Sequence, residues 1–117
     1  GATYMLPRLV GVDKALELMF TGDIIDAKEA ERIGLVTKVV PHNDLTTVSE
    51  ELAAKIAKGP PVATELAKKA VYRSLETSLD SQLDFERYLI SLCLETEDFK
   101  EALKAFQDKR TAQFKGR

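Results

Sequence analysis

Few residues of this chain have side chains suited to catalysis or metal binding. His42 is the only histidine and Cys93 the only cysteine, while Glu97 and Asp98 are adjacent carboxylates. His42 has no cysteine or second histidine nearby, so we expect no metal site there. Cys93 lies in the apolar run 89–94, which favours a buried structural thiol over a nucleophile. Adjacent helical carboxylates point apart, so we interpret Glu97 and Asp98 as favourable charges at a helix N-terminus rather than as a general acid and base.

Motifs for the common catalytic chemistries are absent from the sequence. The chain has no glycine-rich phosphate loop, no pair of cysteines and no His-Glu-x-x-His motif. Its length of 117 residues predicts one compact unit, and 44% hydrophobic with 31% charged residues is typical of soluble globular proteins. A net charge of −2 gives no reason to expect nucleic acid as a partner.

The sequence also allows predictions about membrane spans and the cellular compartment. The apolar stretch 9–25 is broken by charged residues, so we expect no membrane span. A single cysteine and the lack of a signal-peptide pattern favour a cytoplasmic protein.

Acidic residues dominate 76–101 and basic residues 104–117, which we interpret as solvated helix faces and a basic tail. The first residue is Gly1 rather than Met, and we expect further sequence to precede it.

Helix start and stop signals predict a mainly helical chain. The first predicted helix is capped by Thr3, the second is capped by Asp13 and ends at Thr21-Gly22, and the third, 27–33, is capped by Asp26 and closed by a left-handed Gly34. The fourth is capped by Asp44 and ends at Gly59-Pro60-Pro61. Helices over 62–75 and 79–94 and a last helix that begins at Thr96 follow. Residues 35–40 are rich in β-branched side chains, which predicts a strand with Ile24-Ile25 as a short partner. Such a pair is too small for an independent sheet.

The predicted helix 79–94 carries two apolar stripes at different angles. Their members are Leu83, Ile90 and Leu94 in one stripe, and Phe85, Leu89, Leu92 and Cys93 in the other. A helix with two apolar faces needs two partners. Two interpretations stay open: a central helix wholly buried in its own domain, or a helix with one face against another chain.

An ordered series of short motifs resembles the crotonase, or enoyl-CoA hydratase/isomerase, family. The motifs are Gly1-Ala2-Thr3, Leu6-Pro7-Arg8-Leu9-Val10-Gly11, Ala15-Leu16-Glu17, Thr21-Gly22, Ala27-Lys28-Glu29-Ala30, Gly34-Leu35-Val36, Val39-Val40-Pro41, Gly59-Pro60-Pro61, Thr96-Glu97-Asp98, Glu101-Ala102, Ala105-Phe106 and Lys109-Arg110. The resemblance implies a mainly α chain with a short β element, forming the C-terminal helical part of a crotonase-type α/β spiral fold. It implies that residues 1–43 end the crotonase core and that 44–117 form a helical C-terminal trimerisation region.

The same resemblance implies a protein of fatty acid metabolism that acts on acyl-CoA thioesters, with hydration of a 2-enoyl-CoA as the leading reaction. The alternatives are another crotonase reaction, such as isomerisation or hydrolysis, or a non-catalytic helical oligomerisation module. The family's oxyanion hole and two catalytic glutamates correspond to sequence upstream of Gly1. No catalytic residue is therefore expected in this chain, and we expect these 117 residues alone to be inactive.

The resemblance also implies binding residues and partners. Lys109 matches a position where some relatives place a lysine near the CoA adenosine phosphates, although it could equally be a solvated tail charge. Ile90 matches one where some place an aromatic against the adenine, and isoleucine cannot stack in that way. Leu83, Ile90 and Leu94 are the expected interface of a homo-oligomer, a trimer or a dimer of trimers. We expect no metal and no cofactor other than coenzyme A as part of the substrate.

Overall fold

The computed structural model describes all residues from Gly1 to Arg117. The chain consists of helices joined by short connections, and it contains no β-strand. The helices are α1 (Ala2–Val10), α2 (Val12–Thr21), α3 (Ala27–Arg32), a 3₁₀ turn (His42–Asp44), α4 (Leu45–Ala57), α5 (Pro61–Ser74), α6 (Leu79–Leu94) and α7 (Glu97–Gln107). None of these helices is long and apolar enough to cross a membrane.

Contacts within the chain define two compact units, Gly1–Val48 and Ser49–Arg117. The division falls inside α4, whereas the sequence predicted a boundary between residues 43 and 44. The roles predicted for the two parts, the end of a core and a trimerisation region, stay predictions. Helices α1 and α2 contact each other in the first unit, and α6 contacts both α5 and α7 in the second.

Gly11 sets the junction between α1 and α2. Neither of the predicted side-chain caps, Thr3 and Asp13, caps a helix. Gly11 ends α1 and begins α2 with φ +84° and ψ 161°, a conformation that only glycine adopts without strain. Helix α1 begins after Gly1, so Thr3 lies inside it rather than at its cap. Asp13 lies in the first turn of α2 and makes no capping hydrogen bond. Both predicted caps are therefore wrong: α1 begins before Thr3, and the conformation of Gly11 sets the start of α2.

The predicted start and stop of α3 are confirmed. The Asp26 carboxylate accepts a hydrogen bond from the Glu29 backbone N–H at 2.7 Å. Gly34 follows the helix in the left-handed conformation, with φ +78°. Its N–H donates to the Glu31 carbonyl at 3.1 Å, and the next N–H, of Leu35, donates to the Ala30 carbonyl at 2.9 Å. Two backbone carbonyls at the end of the helix thus gain partners.

The strand predicted over 35–40 is absent, so the expected short β element is wrong. Residues 35–37 form bends, and 38–41 have no regular secondary structure. Ile24, in the predicted partner, is fully exposed. A strand needs a neighbour to satisfy its backbone groups, and here a side chain takes that role. The Val39 N–H donates to the Glu31 carboxylate at 2.9 Å.

The second unit is held together mainly through α6. Gln82 is buried, and its amide nitrogen donates to the Ala70 carbonyl of α5 at 3.1 Å. The Arg73 guanidinium lies 4.3 Å from the centre of the Phe85 ring and donates to the Ser81 carbonyl at 3.0 Å. These contacts join the end of α5 to the start of α6.

The apolar core of the whole chain is small. The buried hydrophobic residues are Ala15, Ala30, Leu89 and Ala105, and no large side chain is fully buried. Most leucine, isoleucine, valine and aromatic side chains therefore keep a large part of their surface open.

Candidate functional site

The last helix and the tail that follows it form the most highly organised polar region of the chain. Thr96 begins α7 as predicted, because its hydroxyl accepts from the Phe99 N–H at 3.1 Å. The tail, residues 108–117, is not helical and folds back along α7. We call this segment the tail strap. Three carboxylates of α7 hold it, and they belong to Glu97, Asp98 and Glu101.

Asp98 holds the end of the tail strap. Its side chain is only 3% exposed, and its two oxygens accept from the backbone N–H groups of Lys115 at 2.6 Å and Gly116 at 2.8 Å. The Asp98 N–H donates in turn to the Arg117 carbonyl at 3.1 Å. The adjacent Glu97 accepts from the Arg117 guanidinium at 2.9 Å in a mostly exposed ion pair. Asp98, which was predicted only as a favourable charge at a helix N-terminus, thus also holds the end of the tail strap against α7.

Glu101 holds the middle of the tail strap. Its carboxylate accepts from two nitrogens of the Arg110 guanidinium, at 2.6 and 2.9 Å, and from the Gln113 N–H at 2.9 Å. The hydrogen bonds from Arg110 and then from Gln113 lower the pKa of Glu101 to about 2. The carboxylate in turn raises the pKa of Arg110. The pair is fully charged at neutral pH and binds in the two-pronged geometry typical of arginine and carboxylate.

Lys109 lies in the turn between α7 and the rest of the tail strap. It has a φ of +51° and is the only residue other than glycine with a positive φ. The turn is closed by the Lys109 N–H donating to the Phe106 carbonyl at 3.3 Å and the Arg110 N–H donating to the Ala105 carbonyl at 3.0 Å. Lys109 is exposed and forms no ion pair within the chain, whereas Arg110 and Arg117 do.

The three predicted interface residues lie on the open side of α6. Leu83 is 50% exposed, Ile90 58% and Leu94 48%. The second predicted stripe faces inward, with Leu89 buried and Phe85, Leu92 and Cys93 half-buried. Ile90 lines a groove of about 370 Å³ between α5 and α6 that does not include Lys109. Of the two residues predicted to bind CoA, Ile90 thus lies in this groove, whereas Lys109 lies in the turn after α7.

The shifted pKa values of the carboxylates do not indicate a general acid or base. The carboxylates with clearly shifted pKa values are Glu29, Glu65 and Glu101, and each pKa is lowered by a hydrogen bond from a basic side chain. A general acid or base working near neutral pH needs a pKa shifted the other way. His42 is exposed in the 3₁₀ turn, and Cys93 is a half-buried free thiol. No group of three or more His, Cys, Asp and Glu side chains is placed to hold a metal ion.

The sequence analysis did not identify the roles of Asp98, Glu101 and Arg110. Their partners are distant in the sequence, since Asp98 and Lys115 are 17 residues apart and Glu101 and Arg110 are nine apart. The one signal in the sequence was the change from acidic to basic residues near Lys104, which pairs an acidic helix start with a basic tail. By itself, that change indicates only solvated helix faces and a basic tail.

Comparison with known proteins identifies relatives along the whole chain. The family model for enoyl-CoA hydratase/isomerase matches residues 1–117. The short-chain-enoyl-CoA hydratase of Clostridium acetobutylicum is 44% identical over 118 residues, which is 100% of this chain and 45% of that protein. The crotonyl-CoA hydratase of Syntrophomonas wolfei is 40% identical over 97% of this chain and 44% of that protein. The chain therefore spans less than half the length of these relatives.

Solved structures agree with this match and correct the expected fold class. The crystal structure of enoyl-CoA hydratase from Bacillus anthracis has a TM-score of 0.96 and 42% identity, over 100% of this chain and 45% of that one. The predicted fold class, a mainly α chain with a short β element that forms the C-terminal helical part of an α/β spiral fold, is wrong. The chain contains helices and no strand, and it matches 45% of that relative. From the family match over its full length, we conclude that the chain belongs to the enoyl-CoA hydratase/isomerase family.

Proposed function

We propose that the protein containing this chain acts on acyl-CoA thioesters and adds water to a 2-enoyl-CoA. The observation that carries the proposal is the match over residues 1–117 to the enoyl-CoA hydratase/isomerase family. It is supported by relatives described as short-chain-enoyl-CoA and crotonyl-CoA hydratases, at 44% and 40% identity. Isomerisation of the double bond is the second candidate, because the family's description includes isomerases.

The proposed hydration reaction makes chemical demands that we assign to other parts of the protein. A base must take a proton from water while the water oxygen adds to C3, and C2 must receive a proton. The thioester oxygen carries negative charge in between and needs hydrogen-bond donors. The shifted carboxylates here have lowered pKa values and are committed to arginine or lysine. We therefore assign the acid–base groups to residues outside these 117.

The chain's proposed contribution to substrate binding is a contact from Lys109 to the adenosine phosphates of CoA. Its ammonium is exposed and has no ion-pair partner in the chain, so it is free to meet an anion. Arg110 and Arg117 are already paired with Glu101 and Glu97. The predicted contact of Ile90 with the adenine could only be apolar packing, because the side chain has no aromatic ring.

The proposed contribution to assembly is the open stripe of α6. Leu83, Ile90 and Leu94 are each about half exposed, while the opposite side of the helix packs against its own unit. A homo-oligomer, either a trimer or a dimer of trimers, would cover this stripe. Sedimentation of the protein containing this chain tests that assignment, and a strict monomer at every concentration would contradict it.

The test of the proposed reaction is hydration of crotonyl-CoA by the protein containing this chain. We expect loss of the ultraviolet absorbance of the conjugated thioester and formation of the 3-hydroxyacyl product. Conversion of a 3-enoyl-CoA without hydration would favour the isomerase instead. The 117 residues alone should show no turnover, because their carboxylates form no acid–base pair. Activity of this chain above buffer would overturn that assignment.

A further inference from the structure

The turn at Lys109 places a residue other than glycine in the left-handed conformation. The left-handed residue that ends a helix is usually glycine, since other side chains crowd the backbone there. In this chain a lysine occupies the position, with φ +51°. Strained residues of this kind persist where the surrounding structure holds them in place, and they are concentrated at functional sites.

Glu101 is the group best placed to hold that turn. It binds Arg110, the residue directly after Lys109, through two hydrogen bonds of 2.6 and 2.9 Å. It also accepts from the Gln113 N–H at 2.9 Å, so both sides of the short segment 110–113 are attached to α7. With Arg110 bound to the helix, the exposed side chain of Lys109 is left to the solvent.

We propose that Glu101 is a positioning residue for Lys109, which it presents to the phosphates of a CoA thioester by fixing Arg110 and the tail strap. The inference rests on the proposed function. Its physical basis is preorganisation: a lysine already held in its binding conformation loses less conformational entropy when it meets the anion.

The sign of the Glu101 effect separates positioning from simple electrostatics. A carboxylate near an anionic ligand repels it, so on charge alone Glu101→Gln should tighten binding. If Glu101 positions Lys109, the same change should weaken binding, because the turn is released. The two views predict opposite results for one substitution.

The experiment measures the dissociation constants of CoA and of pantetheine, which lacks the nucleotide phosphates, by titration calorimetry at low salt. The variants of the protein containing this chain are Glu101→Gln, Lys109→Ala and the double variant. We expect each single change to weaken CoA binding by roughly threefold to tenfold, the range of one exposed charged contact. Pantetheine binding should not change, and the double variant should bind CoA no more weakly than Lys109→Ala. A general loss of structure would weaken both ligands.

Glu65→Gln is the matched control. Glu65 is an exposed carboxylate that accepts from Lys69 at 2.6 Å within α5, and its loss removes the same charge without touching the tail strap. CoA binding in this variant should stay within the error of the wild type. If Glu101→Gln does not fold, Arg110→Lys is the second variant: it keeps the positive charge but loses the two-pronged contact with Glu101, so positioning predicts weaker CoA binding and charge alone predicts no change.

The outcomes separate the inference from the function on which it rests. If Lys109→Ala weakens CoA binding but Glu101→Gln leaves it unchanged or tighter, positioning is refuted and the lysine contact stands. If Lys109→Ala has no effect, the lysine contact is refuted, and positioning falls with it. If the wild type binds no CoA at all, the proposed substrate class is wrong.

Discussion

Asp98 is a charged side chain that is buried because its charge has partners. Its carboxylate accepts from two backbone N–H groups of the tail strap, at 2.6 and 2.8 Å, and only 3% of the residue is exposed. Hydrogen bonds to a charged group are stronger than those between neutral groups. Asp98→Ala should therefore lower the free energy of unfolding by about 2–3 kcal/mol. Urea denaturation of the protein containing this chain measures the change.

The neighbouring Glu97 provides the control for Asp98. Its ion pair with Arg117 spans 2.9 Å, but both side chains are about two thirds exposed, at 64% and 65%. Exposed ion pairs contribute little, so Glu97→Ala should cost less than about 1 kcal/mol. Equal losses in the two variants would show that burial of Asp98 is not what stabilises the strap.

Glu101 makes stability depend on pH in the acid range. Arg110 lowers the pKa of Glu101 to about 2 in the folded chain, below its ordinary value of 4.5. The unfolded chain therefore takes up this proton first as the pH falls. The stabilising contribution is complete above about pH 4.5 and is lost progressively as the pH falls towards about 2. Urea unfolding across this range should show a steeper loss in the wild type than in Glu101→Gln.

Glu51→Gln is the control for that pH dependence. Glu51 is exposed on α4 and forms no ion pair, so its removal should leave the slope of stability against pH as in the wild type. If Glu101→Gln keeps the full acid sensitivity, Glu101 is not its source.

At the level of single residues, the sequence predicts contacts that are local and misses those that are not. The cap residues Asp26 and Thr96 and the left-handed Gly34 are confirmed, because each acts within a few positions of itself. The partners of Asp98 lie 17 and 18 residues away, and no periodicity encodes them. Thr3 and Asp13 have suitable cap side chains, but α1 begins before Thr3, and Gly11 sets the start of α2.

Among the elements, α7 depends most clearly on one side chain at its start. The Thr96 hydroxyl accepts from the Phe99 N–H at 3.1 Å and donates to the Cys93 carbonyl at 2.7 Å, so it links the end of α6 to the start of α7. Removing a cap of this kind costs about 1 kcal/mol, and Thr96→Ala should lower the free energy of unfolding by about 1–2 kcal/mol. Thr47→Ala, at an exposed position within α4, should change it by less than about 0.5 kcal/mol.

The segment 35–40 shows why a strand is harder to predict than a helix. A helix satisfies its own backbone within one segment, and each helix predicted from the sequence is present within a few residues of its expected range. A strand needs a second strand, and β-branched composition says nothing about whether one is available. Here the Glu31 side chain binds the Val39 N–H, and the segment has no regular secondary structure.

Helix α6 was predicted to have two apolar faces, and the structure distinguishes them. The inward face holds the buried Leu89, while Leu83, Ile90 and Leu94 stay about half exposed. The sequence pattern locates both stripes and leaves open whether one of them faces another chain, while the family resemblance implies that Leu83, Ile90 and Leu94 do. Within its own unit, α6 contacts α5 and α7.

Across the whole molecule, many more large apolar side chains are exposed than buried. Ile24 is 100% exposed, Phe106 85% and Phe20 79%, while the buried apolar residues are three alanines and one leucine. Burial of apolar surface is the main force that stabilises a folded chain. Because this chain covers 45% of relatives such as the Clostridium acetobutylicum hydratase, we expect other protein surface to cover these side chains in the protein that contains it.

The 117-residue chain produced by itself should therefore self-associate. In analytical ultracentrifugation we expect its average mass to rise with concentration, together with binding of a hydrophobic dye such as ANS. Replacing Ile24 and Phe106 by serine should reduce both signals, because these are its two most exposed large apolar side chains. Serine at the neighbouring polar positions Asp23 and Gln107 should not. A monomer that binds no dye at any concentration would mean that this small core suffices, and that the open apolar surface needs no partner.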